Sequence, residues 1–279
     1  MSKKAKAVLD PLRSNLSGKE TRTGRTRGRE APATAEASKR SALRRRLLTW
    51  YDRNHRPLPW RATSDPYRIW ISEIMLQQTR VETVLPHYAR FLDRFPTLQA
   101  LAAAPPEAVL KVWEGLGYYT RARNLHAAAR IVVARHGGRL PDTREALLAL
   151  PGIGTYTVGA ILSIAFGKRV AAVDGNVRRV WGRIFATGET GESDAPSPAD
   201  LAEAIVPRRA PGLFNQALMD LGATVCKPRN PGCSVCPVRD LCRARAAGLG
   251  RTLPAPAKKP AVPEREGVAG VIAAAVKKP

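Results

Sequence analysis

The sequence predicts an all-α protein, and three observations carry that reading. From Ser41 to about residue 247, apolar side chains recur at helical spacing in one segment after another. Pro and Gly punctuate the segments, as in Phe95-Pro96-Thr97, Pro105-Pro106-Glu107, His136-Gly137-Gly138 and Leu140-Pro141-Asp142. Convincing period-two alternation, the mark of a half-buried strand, is missing. About ten short helices are expected. At 279 residues with 44% hydrophobic residues, the chain is long enough for one or two packed domains.

Residues 1 to 40 are rich in Lys, Arg, Thr, Ser, Gly and Ala, with scarcely any large apolar residue after Leu16. Such a segment buries too little to offset the entropy of ordering, so a disordered basic arm is expected. From Ser41, Leu43, Leu47, Leu48 and Tyr51 recur at helical spacing and define a first amphipathic helix, which stops before His55-Arg56-Pro57. At the other end, residues 248–279 read as a Pro, Ala and Lys linker and tail, with a short apolar run from Val268 to Val276. The N-terminus MSKKAKAVLD lacks the apolar core of a signal peptide, and no run approaches a membrane span. An intracellular protein, DNA-associated and without membrane contact, is expected. With no oligomer signal in view, a monomer is the default.

The formal charge of +23, from 46 basic and 23 acidic residues, makes a polyanion the favoured partner, because clustered Lys and Arg release counterions from phosphates. Nucleic acid is the leading candidate; an acidic protein or an anionic membrane surface stays open on composition alone.

All four cysteines fall in one stretch, Cys226, Cys233, Cys236 and Cys242, with six, two and five residues between them. One four-thiolate site uses them all. Zinc usually takes two C-x-x-C pairs from separate turns, and only Cys233 and Cys236 form such a pair. The compact wrap favours a 4Fe-4S cluster, though the spacing is not that of a ferredoxin. Zinc remains open. Two disulfides are the third option and would need an oxidising compartment.

Two acidic residues and a glycine turn mark a candidate catalytic centre. Leu150-Pro151-Gly152-Ile153-Gly154 joins a short Leu-rich helix, Thr143 to Ala149, to a second from Thr155 to Phe166. With Gly at Gly152 and Gly154 the turn can aim backbone N–H groups at a phosphate from the second helix's N-terminus. Twenty residues on, Val173-Asp174-Gly175-Asn176 places an acid where another helix opens; taken alone, Asp174 is an ordinary N-cap. Glu73 lies inside the apolar run Ile69 to Leu76, where burial favours the protonated form unless a core Arg pairs with it. On one continuous helix Glu73, Gln77 and Arg80 would form a polar stripe.

Together the cysteine spacing, the Leu150-Pro-Gly-Ile-Gly154 turn with Asp174 beyond it, Ser72-Glu73-Ile-Met-Leu-Gln-Gln-Thr79 and Gly115-Leu-Gly-Tyr118-Tyr119 resemble the helix-hairpin-helix DNA glycosylases. Within that superfamily the chain resembles the MutY-type adenine DNA glycosylases, over about residues 43 to 247. The resemblance implies a six-helix barrel lobe with the hairpin at residues 58–166, and an iron-sulfur cluster lobe built from 41–57 and 167–247. Double-stranded DNA containing a mismatch would bind across the cleft between them.

By the same resemblance Glu73 delivers a proton to the departing base, Asp174 stabilises the positive sugar, and Asn176 supports this network. Breaking a C1′–N bond is akin to glycoside cleavage, where one carboxyl is protonated and the other charged. Tyr156 stands where the related endonuclease III type has an attacking lysine; a phenol cannot form an imine, so a monofunctional glycosylase is implied. Lys168, twelve residues further, would lie about 18 Å away along a helix. Gln77 and Tyr118 resemble wedges entering the base stack, with Gln78 beside them, and Arg61 and Gln216 resemble the adenine pocket. The 37 residues after Cys242 (279 minus 242) are too few for the family's C-terminal domain, which senses oxidised guanine, so that domain is expected to be missing. The activity implied is removal of adenine opposite 8-oxoguanine or guanine. A thymine mismatch glycosylase and a non-catalytic DNA-binding protein are the alternatives.

Overall fold

The computed structural model describes residues 32–186 and 198–253. The basic arm up to residue 31 and the tail from residue 254, with its Val268 to Val276 run, lie outside the described residues. No strand occurs among the described residues, as the periodicity implies.

The first helix, α1, runs Pro32–Asn54, beginning nine residues before the Ser41 start that its apolar face suggests. Residues 32–40, expected to belong to the disordered arm, are helical. The sequence Pro-Ala-Thr-Ala-Glu-Ala supplies a proline suited to a first turn and good helix formers after it. A 3₁₀ turn at Pro59–Arg61 leads to α2 (Pro66–Leu76), which Asp65 caps by accepting from the backbone N–H groups of Tyr67 and Arg68. There follow α3 (Val81–Arg94), α4 (Leu98–Ala103), α5 (Pro106–Trp113), α6 (Thr120–His136) and α7 (Arg144–Leu148). Helix α8 (Thr155–Ile164) follows the glycine hairpin, and α9 (Gly175–Phe185), α10 (Pro198–Ile205) and α11 (Pro211–Asp220) follow it. A π turn, Leu221–Val225, leads into the cysteine loop, and α12 (Arg243–Ala246) closes it.

Two apolar cores form. One gathers Trp70, Phe91, Phe95, Trp113 and Ile161 from α2 to α8. The other joins Leu43, Leu47 and Tyr51 of α1 to Trp181, Phe214 and Leu218 of the later helices, so the chain's first helix packs with its last ones. Helix α11 packs on both α1 and α8 and ties the cores together. Glycines permit the close approaches: a Cβ at Gly159 of α8 would collide with the Ala171 carbonyl oxygen, and one at Gly212 of α11 would lie 2.6 Å from that of Ser163. The packed helices leave a cavity of about 760 Å³ between the cores. Among the described residues no helix is long and apolar enough to cross a membrane.

Candidate active site and cysteine centre

Glu73, Tyr156, Asp174, Asn176, Gln77, Gln78, Arg61 and Gln216, scattered over 156 positions of sequence, all line the one cavity between the cores. Glu73 faces it from the buried side of α2 and is only 5% exposed. Its Oε2 is buried without a hydrogen-bond partner. Burial pushes its pKa up to about 7; the Tyr156 hydroxyl pulls down, the Asp174 charge adds to the rise, and the Arg61 guanidinium opposes it. Arg61 acts on Glu73 only through space, because its guanidinium is bonded to Asp220.

Asp174 caps α9. Its Oδ1 accepts from the Val177 backbone N–H at 2.7 Å and its Oδ2 from Asn176 Nδ2 at 3.0 Å, so the carboxylate is fixed in direction. Asn176 is oriented in turn, its Oδ1 accepting from Arg179 Nη2 at 2.8 Å. The same guanidinium donates to the carbonyls of Gly222 and Cys226, at 2.9 and 3.0 Å. Gly222 lets the π turn approach, since a Cβ there would lie 2.8 Å from that of Asn176.

Tyr156 sits in the first turn of α8, its hydroxyl donating to Met219 Sδ at 3.7 Å. Burial, with Glu73 and Asp174 nearby, raises its pKa well above the ordinary phenol value, so the hydroxyl keeps its proton. Lys168 does not lie on α8, which ends at Ile164. Its ammonium instead bonds the Asp142 carbonyl and pairs with that carboxylate at 2.9 Å. Among the described residues that line the cavity, none is a lysine.

The polar stripe proposed for Glu73, Gln77 and Arg80 does not exist. Helix α2 stops at Leu76, Gln77 turns out with φ −60° and ψ 112°, and Gln78 takes a left-handed φ of 56°. Arg80 then opens α3. Gln77 and Gln78 therefore belong to a loop at the mouth of the cavity rather than to a helix face. Tyr118 is outside the cavity lining, 64% exposed on a left-handed backbone of φ 48°. Gly152 also has a positive φ, 78°, and backs onto Asn124, whereas Gly154 is extended and has open space where a Cβ would stand. The hairpin thus presents an unobstructed backbone at the start of α8.

Arg61 lines the cavity with its guanidinium committed to an acid. Its guanidinium grips Asp220 in a forked pair, one arm at 2.7 Å, and its side chain is 9% exposed. Asp220 also accepts from Arg56 Nε at 2.8 Å, and the Arg56 side chain, 32% exposed, lines the cavity. Arg56 is the better candidate to meet a ligand, and Asp220 holds both arginines. Sequence reasoning missed Asp220, although a lone acid in the apolar run Leu218 to Leu221 is the signal that marked Glu73. Gln216 Oε1 accepts from the Tyr51 hydroxyl at 2.8 Å, leaving its amide nitrogen as a donor for the cavity.

The four cysteines carry no disulfide and surround a small apolar hollow closed by Val180, Ile184, Leu221 and Val238. Among the described residues no three His, Cys, Asp or Glu side chains converge tightly enough for one metal ion. A cubane suits this arrangement, because it offers a separate iron to each thiolate. Burial pushes the Cys236 thiol up to about 11 and raises that of Cys242, so charged sulfurs here require a cationic partner. Arg183, itself buried, bonds the Lys227 and Pro228 carbonyls at 2.6 and 3.0 Å and approaches Cys226 Sγ at 3.4 Å. Four thiols around one apolar hollow, with Arg183 beside them, fit a four-iron cluster.

Comparison with known proteins agrees. Residues 71–207 match the family model of the HhH-GPD superfamily of base excision DNA repair proteins, and residues 226–242 that of the iron-sulfur binding domain of endonuclease III. The chain thus carries an iron-sulfur cluster. The adenine DNA glycosylase of Homo sapiens is 50% identical over 216 residues, 74% of this chain and 40% of that protein. That of Mycobacterium tuberculosis is 45% identical over 208 residues, 72% of this chain and 67% of the relative. The chain spans less than half the length of its rat, human and mouse relatives. A solved thermostable thymine-DNA glycosylase is 36% identical with a TM-score of 0.70, over 76% of this chain and 99% of that one. A DNA complex of endonuclease III, 23% identical with a TM-score of 0.63, over 76% of this chain and 97% of that one, shares the fold.

Proposed function

The chain belongs to the HhH-GPD superfamily of base excision DNA repair proteins, within its adenine DNA glycosylase family, and from that premise we propose a specific activity. The protein is a monofunctional, monomeric DNA glycosylase that binds mismatched duplex DNA and hydrolyses the N-glycosidic bond of adenine opposite 8-oxoguanine or guanine. One observation carries this reading: Glu73, held near neutrality by burial, and Asp174, fixed as a helix cap, share one cavity.

Glu73 gives its proton to a ring nitrogen of the extruded adenine. The bond from C1′ to the base breaks with its electron pair leaving on the base, and Asp174 faces the cationic sugar that remains. Water adds to C1′ and loses a proton, leaving free adenine and an abasic sugar. Tyr156, a protonated phenol, cannot replace water by forming an imine, and Lys168 is tied to Asp142; both support the absence of strand cleavage. Arg56 and the Gln216 amide are the cavity groups suited to purine edges. The hairpin and the basic balance of +23 suit backbone anchoring. In this role the cluster orders the loop bearing Lys227 and Arg229.

Removal of thymine opposite guanine is a second reading, favoured by the solved thymine-DNA glycosylase. Duplexes with A opposite 8-oxoguanine, A opposite G, or T opposite G, incubated with the protein and then cleaved by alkali, separate the readings. Adenine release from the first two, with strand breaks appearing only after alkali, is expected. Release of thymine alone would move the protein to the second reading, and release from none would remove the enzymatic account.

A further inference from the structure

One loop lines the cavity and a second is joined to it through Arg121, each with strained backbone. Leu76 to Thr79 includes Gln78 at a φ of 56°; Gly115 to Tyr119 includes Gly115, Gly117 and Tyr118 at 95°, 68° and 48°. Non-glycine residues in this region cost about 1–3 kcal/mol and persist only where their surroundings hold them. Both loops also turn carbonyls inward, where each needs a donor.

One side chain supplies donors to both loops, with Trp113 Nε1 adding a bond to the Gly117 carbonyl and Thr79 Oγ1 one to that of Gln77. Arg121 Nη1 donates to the carbonyls of Ile74, Met75 and Gln77 at 3.0, 2.8 and 2.6 Å. Its Nη2 donates to Thr79 Oγ1, Leu116 O and Gly117 O at 3.0, 3.1 and 3.3 Å. The guanidinium also lies 5.4 Å from the Trp113 ring centre and 5.5 Å from that of Tyr118. It thereby closes the C-terminal end of α2, where orphan carbonyls and the helix dipole both favour a cation. A lysine ammonium, a point charge with three donors, cannot serve both loops in this forked manner.

We propose that Arg121 is a positioning residue that clamps the Gln77 loop and the Tyr118 loop into one rigid unit, so that the two side chains enter the base stack together and force the target nucleotide out. The inference rests on the glycosylase reading and deepens it. Arg121 lies outside the cavity lining, so its effect falls on extrusion and not on bond cleavage.

The test compares R121Q and R121K with the unaltered protein, in single-turnover adenine release from two substrates. One holds adenine in a stacked mismatch, and the other holds it in an unpaired single-nucleotide bulge. Extrusion costs a few kcal/mol, so each variant is expected to lose about 10- to 100-fold on the stacked mismatch and to stay within about threefold on the bulge. A 2-aminopurine reporter next to the target should brighten less with the variants, at protein concentrations that saturate binding. Equal losses on both substrates, or none on either, overturn the proposal. Thermal unfolding is followed in parallel; if R121Q does not fold, R121K decides by the same criterion. Failure of the unaltered protein on both substrates would count against the glycosylase reading itself.

Discussion

At Glu73 the proton is the quantity that matters. Its pKa stands at about 7 in the folded chain against 4.5 for a free glutamate, because burial outweighs the help of Tyr156 and Arg61. A raised carboxyl binds its proton more tightly when folded, so its contribution to stability is full below about 4.5 and is lost as the pH rises through about 7. Glu73→Gln, which mimics the neutral acid, is therefore expected to be more stable than the unaltered protein at pH 8, by roughly 1–3 kcal/mol, with little difference at pH 4.5. Thermal unfolding at the two pH values checks this, and equal shifts at both would contradict it. Glu73 was legible in the sequence as an acid in an apolar run, whereas Asp174, by itself an ordinary helix cap, stood out only together with the motifs around it. Arg61 was singled out in the sequence and Arg56 was not. Both line the cavity, but how each guanidinium is committed depends on Asp220, 159 residues from Arg61, and no local pattern reports that pairing.

Helices were read well where their apolar faces are periodic, and misread where a terminus is set by tertiary contacts. The α1 start lay hidden because residues 32–40 add no apolar face to their helix propensity. The end of α2 was missed because Leu76-Gln77-Gln78-Thr79 has no breaker; Arg121, from another helix, holds the loop instead. The π turn at Leu221–Val225, which brings Gly222 against Asn176, likewise leaves no mark in the pattern. Glycine inside a helix is clearer. In α8, Gly159 leaves no room for a side chain beside the Ala171 backbone, so Gly159→Ala should force α8 away from the segment leading to Asp174. The expected loss is about 2–4 kcal/mol despite alanine's better helix propensity, measured by denaturant unfolding. A gain in stability would show that the two segments are not so closely packed.

The molecule has two apolar cores, and the cavity lies where α8 and α11 hold them together. Glu73 is carried by α2, which packs in the first core, and Asp174 caps α9, which packs in the second, so neither core's helices alone hold the pair. The cysteine loop is attached to the same machinery, because Arg179 joins the Cys226 carbonyl to Asn176 and hence to Asp174. Everything else depends on the two acids acting at opposite sides of one extruded base. Single-turnover adenine release from a duplex with A opposite 8-oxoguanine, for Glu73→Gln and Asp174→Asn beside the unaltered protein, tests that claim most directly. Each variant is expected to lose at least about 100-fold in rate, the lower end of what a positioned general acid or base contributes, while duplex binding stays within about threefold. Full-rate release by either variant would contradict the assignment.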